Sequence, residues 1–168
     1  MRGLTPHSHV RLRGQTPESH ETARLRRSIR MRVTPLPAPL THDPGAIRVR
    51  VEEPNAYPCR RCLQDGEVGE TMLLLSYDPF VGASPYSGPG PIYVHDGDCA
   101  TFDGDDIPDQ LTRRLLSVRA YDERHMLLDA DVIEGTDLAG AAQRLLTGAS
   151  YLHVHNARPG CFAARIDG

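Results

Sequence analysis

The chain has 168 residues, 39% hydrophobic, with 15 Gly, 14 Pro and a formal net charge of −3. That length suffices for one core of its own, and the Gly and Pro content predicts short elements joined by many turns. No run nears the roughly 18 apolar residues of a membrane span, and no apolar stretch follows the N-terminal charges, so the expectation is a cytoplasmic location with reduced thiols and neither span nor secretory signal.

The charge is unevenly placed. Residues 1–30 carry seven Arg against Glu18 and Glu21, a net +5, whereas the remainder carries twelve Arg against twenty acids, a net −8. An acidic domain excludes general nucleic-acid binding, because phosphate neutralisation needs a basic face. All nineteen basic residues are Arg, which reads as coding bias rather than chemistry.

In chain order, residues 1–30 are rich in Pro, Ser, His and Arg and cannot bury enough surface to offset ordering entropy. They read as a disordered tail, or as an early start codon with Met31 as the first residue; a basic organelle-type targeting peptide is a third reading, and some helicity is open to Ala23–Arg32. Residues 31–168 read as a single domain. Ile47–Val51 alternates as a half-buried strand, and residues 53–69 form a long loop holding Tyr57-Pro-Cys-Arg-Arg-Cys62. Thr71–Tyr77 is apolar on both faces, as a central strand is. A turn-rich stretch leads to the strand Pro91–His95 and an acidic loop, Asp96–Asp106.

Pro108 suits the first position of a short helix to Leu116, capped by Asp106. Ser117–Tyr121 and Met126–Ile133 flank Asp122-Glu-Arg as a hairpin. Thr136 is placed to cap a helix to Leu146 that stops at Gly148. Tyr151–His155 and Cys161–Ile166 flank Asn156-Ala-Arg-Pro-Gly160 as a second hairpin. The predicted fold class is α+β, a mainly antiparallel sheet with about two helices behind a disordered N-terminal tail.

The blocks MRVTPLPA (Met31–Ala38), YPCRRCL (Tyr57–Leu63), GETMLLLSYDPF (Gly69–Phe80), SPYSGPGPIYVH (Ser84–His95), LLSVRAYD (Leu115–Asp122), DADVIEG (Asp129–Gly135) and YLHVHNARPGCFAARID (Tyr151–Asp167) resemble a bacterial family, domain of unknown function 1203. They cover nearly all of the chain after Met31. The segment between Leu40 and Ala46 is shorter than the helical stretch that relatives carry there. The resemblance implies a compact bacterial cytoplasmic domain and supplies no reaction.

Cys59-x2-Cys62 and His95-x3-Cys99 together offer three thiols and an imidazole, and zinc takes four such ligands in a tetrahedron. If Thr71–Tyr77 and Ile92–His95 pair antiparallel, the two ligand-bearing loops end side by side. A structural zinc there would hold a long loop that has little core of its own. Cysteines at this spacing also arise by chance, and a thioredoxin-like redox pair lacks its strand-to-helix unit.

Strand alternation puts Tyr151, His153 and His155 on one face and Leu152 and Val154 on the other. Phe162, Ala164 and Ile166 are expected on the apolar face, with Cys161 and Arg165 beside the histidines. Arg119 and Tyr93 fall on the polar parity of their own strands, with Arg158 at the hairpin tip. Such a face suits a small anionic molecule, held by Arg119 and Arg158 with His153 or His155 as acid or base and Cys161 as a nucleophile. The alternatives are a protein partner over the same residues, or a polar cover over the sheet with no ligand. No Ser-centred elbow, Gly-rich phosphate loop or paired-carboxylate arrangement is present, so hydrolase, nucleotide-binding and glycosidase readings lack support, and a small enzyme using the same pocket is the alternative reading.

Overall fold

The computed structural model describes residues 31–36, 45–104 and 106–168. The readings for residues 1–30 and the short segment after Leu40 lie outside the described residues, apart from Gly45 and Ala46 at that segment's end. Alternating apolar residues and frequent turns produce, among the described residues, eight strands: β1 (Arg32–Thr34), β2 (Ile47–Arg50), β3 (Thr71–Tyr77), β4 (Gly90–His95), β5 (Leu115–Tyr121), β6 (Leu127–Glu134), β7 (Tyr151–Asn156) and β8 (Phe162–Asp167). Two short helices, α1 (Asp109–Thr112) and α2 (Leu138–Leu145), and a 3-10 turn over Gly135–Asp137 complete the described elements. The molecule is thus mainly antiparallel, as expected, but more nearly all-β than the α+β class predicted.

Five strands form one sheet in the order β1-β8-β7-β5-β6, and three form a second in the order β2-β3-β4, with every pairing antiparallel. On the large sheet Leu116, Val118 and Ala120 of β5, Leu152 and Val154 of β7, and Ala164 and Ile166 of β8 share one apolar face. The α2 helix covers it with Leu138, Ala141, Ala142 and Leu145, whose i, i+3, i+4, i+7 spacing is that of one helix face. A second cluster joins Met72, Leu75, Ile92 and Val94 of the small sheet to Cys59, Leu36 and Phe162.

Both helices are shorter than predicted. The segment from Pro108 to Leu116 makes only one helical turn, because Leu115 and Leu116 belong to β5, where Leu116 is fully buried opposite Asn156. Asp106 does not cap α1, since Pro108 occupies the N-cap position without a side-chain bond. Thr136 likewise lies within a 3-10 turn, Gly135–Asp137, that precedes α2. Gly135 fixes that turn: its N–H donates to Arg114 O at 2.8 Å, and a Cβ there would stand 2.0 Å from Leu111 O.

The parity predicted for β5 and β7 holds, but the face is not open. Arg119 pairs with His153, Ser117 with His155 and Tyr121 with Tyr151, so these side chains do project together. The strand Tyr151–Asn156 is buried along its whole length, and His153 and His155 are 1% and 8% exposed. Phe80, from the loop after β3, lays its ring 4.8 Å from that of His153 and 5.1 Å from that of Tyr121. Phe162 also departs from its predicted side. Val154 pairs with Ala164 but His155 pairs with Phe162, so Ala163 is an extra, bulged residue. The bulge turns Phe162 onto the histidine face, 5.2 Å from His153 and 5.8 Å from His155 between ring centroids. The expected binding face of imidazoles is therefore a packed aromatic layer. No helix among the described residues is long and apolar enough to cross a membrane.

Candidate functional site

The hairpin of β3 and β4 builds the metal candidate as the sequence predicted. Met72 pairs with His95, and Asp96 N–H donates to Thr71 O at 3.2 Å, so the end of β4 lies beside the start of β3. The loop before β3 reverses on itself: Cys59 N–H donates to Gln64 O at 2.9 Å, and Pro58 bridges Asp65. Leu63, immediately after Cys62, takes φ 53°, the left-handed conformation that lets so short a reversal close. Arg60 N–H donates to Tyr93 O at 3.0 Å, which sets the reversal against β4. On the far side, Gly97 at φ +135° turns the chain between His95 and Cys99, a conformation L side chains avoid. Arg61 ties the two loops together by donating to Gly97 O at 3.4 Å and Cys99 O at 3.0 Å.

One ligand atom from each of Cys59, Cys62, His95 and Cys99 lies within 4.8 Å of the others. Cys59 Sγ is 3.8 Å from Cys99 Sγ, and Cys62 Sγ is 3.6 Å from His95 Nδ1. A tetrahedral zinc with Zn–S near 2.3 Å and Zn–N near 2.0–2.1 Å separates its ligand atoms by about 3.8 Å (S to S) and about 3.6 Å (S to N). The donor set and both spacings fit zinc. The other imidazole nitrogen, His95 Nε2, is 3.6 Å from Glu70 Oε2, the kind of carboxylate partner that orients a ligating histidine. Sequence reasoning missed Glu70, which nothing but its place one residue before β3 could have flagged.

The electrostatics of the cluster favour a cation. Hydrogen bonding from Cys62 lowers the Cys59 thiol against the opposing effect of burial, and the Arg61 N–H adds a 3.4 Å bond to Cys59 Sγ. The bond to Cys59, followed by burial and the charge on Cys59, raises Cys62, and burial, followed by the charge on Cys59, raises Cys99. Hydrogen bonding to Cys59 raises His95. Three sulfurs at this separation can all ionise together only around a positive charge.

The residues predicted for an anionic ligand do not converge. His153 sits in the aromatic layer with both ring nitrogens unpartnered, and burial, followed by His155, Arg165, Arg119 and His125, lowers it to about 3. His155 donates from Nδ1 to Gly160 O at 3.0 Å, and burial lowers it to about 4. His155, Arg119 and Cys161 line one cavity of about 240 Å³. Tyr93, Arg158 and Cys161 line a separate cleft of about 820 Å³, together with Arg60, Arg113, Arg114 and Asn156. Of the predicted residues only Cys161 lines both, beside Pro91 and Pro159, which the two cavities also share.

No curated protein and no solved structure matches this chain. The family model described as a protein of unknown function (DUF1203) matches residues 56–168, which takes in every ligand of the metal candidate, and the chain belongs to that family.

Proposed function

We propose that this chain is a zinc-binding domain in which Cys59, Cys62, His95 and Cys99 hold one structural ion. The observation that carries the reading is the mutual spacing of four ligand atoms from two loops, all within 4.8 Å, with Glu70 behind the imidazole. All four positions are taken by protein ligands, which is the closed arrangement of structural rather than catalytic zinc. The ion would add a metal cross-link to the hydrogen bonds by which Arg60 and Arg61 hold the loop from Val51 to Thr71, a segment that forms no strand of its own beyond single bridges. It would hold the small sheet's loops in register and leave the large sheet to its own core.

The test is the metal content of the purified protein by elemental analysis, with Cys62→Ser alongside. The expected result is close to one equivalent of zinc in the parent and a large loss in the variant. Less than a tenth of an equivalent in the parent after growth with added zinc would remove the reading.

A further inference from the structure

The cleft between the two sheets contains a second cysteine environment, separate from the zinc ligands. Arg60, only 1% exposed, donates from Nε to Phe162 O at 2.6 Å and from Nη1 to Pro58 O. Its remaining nitrogen, Nη2, lies 3.0 Å from Cys161 Sγ. Asn156 adds a second donor to the same sulfur, Nδ2 at 3.4 Å. A buried guanidinium and a carboxamide are thus aimed at one half-buried thiol on the wall of an 820 Å³ cleft.

Two further observations point to a ligand there. Asn156 is 7% exposed and lines the cleft, yet its Oδ1 has no hydrogen-bond partner among the described residues. A buried amide oxygen left unpaired costs stability unless something donates to it. The rim is also cationic: Arg113, Arg114 and Arg158 line it against Glu134. Arg113 and Arg114 already pair with Asp65, whereas the exposed Arg158 belongs to no ion pair among the described residues.

We propose that this cleft takes a carboxylate- and amide-bearing disulfide and that Cys161 forms a mixed disulfide with it. Arg158 receives the carboxylate and Asn156 Oδ1 accepts from an amide N–H of the ligand. Cys161 Sγ, as the thiolate, attacks one sulfur of the incoming disulfide, and a new S–S bond forms between them. The old S–S bond breaks with its electron pair on the departing sulfur, which takes up the proton that Cys161 gave up. No net oxidant beyond the disulfide itself is needed.

The test uses the full chain loaded with zinc, at low ionic strength. Glutathione disulfide, which carries carboxylates and amides, is compared with cystamine, a cationic disulfide, by intact mass against time and peptide mapping of the adduct. The expected result is an adduct on Cys161 that forms at least about tenfold faster with glutathione disulfide, the scale of electrostatic steering at a cationic cleft. Arg158→Ala, at an exposed position, should bring the two rates together, and Cys161→Ser should abolish the adduct. Equal rates in the parent, a preference that survives Arg158→Ala, or an adduct confined to Cys59, Cys62 or Cys99 would each overturn the proposal.

Discussion

His153 shows how one side chain can keep its predicted direction and lose its predicted role. It projects to the side its parity dictates, but Phe80, Tyr121, Tyr151 and Phe162 enclose it, and neither ring nitrogen finds a partner. Such a ring is held neutral. The unfolded chain binds a proton on each of His153 and His155 near the ordinary value of 6.5, while the folded chain does so only near 3 and 4. Stability from both is therefore present above pH 6.5 and is lost as the pH falls towards those lower values. Each contributes about 2 kcal/mol of loss between pH 6.5 and 5, at about 1.4 kcal/mol per pH unit. Urea unfolding at pH 7 and pH 5 should show this decline, and His153→Phe should remove about half of it. A variant that loses stability between the two pH values as steeply as the parent would contradict this account of the buried ring.

At the scale of elements, the three-residue β1 was not read from the sequence, but β2 to β8 were legible with the parity of β5 and β7, and so was the meeting of the two ligand loops. Both follow from period-two alternation and from a hairpin, which are local. The bulge at Ala163 was not legible, because nothing in Cys161–Ile166 distinguishes a regular strand from one with an extra residue, and that slip moved Phe162 to the other face. The roof over the histidines was equally hidden, since Phe80 lies in a turn-rich loop whose destination no local pattern fixes. The helices were overread because Leu115 and Leu116 suit a helix and a strand alike, and the pairing with β7 decided it. The turn at Gly135 gives a paired prediction. Gly135→Ala puts a methyl against backbone oxygens at 2.0 and 2.8 Å and should destabilise by about 2–3 kcal/mol. Gly140→Ala, exposed within α2 with open space around it, should instead stabilise by about 1 kcal/mol. Thermal melts of the two variants should move in opposite directions; a Gly135→Ala melt at the parent temperature would contradict the close approach.

The whole molecule divides its stabilisation between two centres. The large sheet and α2 form an apolar core, while the small sheet gathers a lesser cluster in which Cys59 and Cys62 are themselves buried members. Fixing the latter by metal makes stability depend on free zinc, because an ion that binds only the folded state adds about 2.7 kcal/mol at a hundredfold excess over its dissociation constant. Chelation of the loaded protein should therefore lower the melting temperature by roughly 5–11 °C, at about 2–4 °C per kcal/mol for a chain of this size. Restored zinc should reverse the shift, and a melt indifferent to chelator would leave the small sheet without its proposed cross-link.

The most direct measurement is X-ray absorption at the zinc edge of the loaded protein. The account predicts a first shell of three sulfurs at about 2.3 Å and one nitrogen at about 2.0–2.1 Å. A shell of oxygen and nitrogen alone, without sulfur, would contradict it.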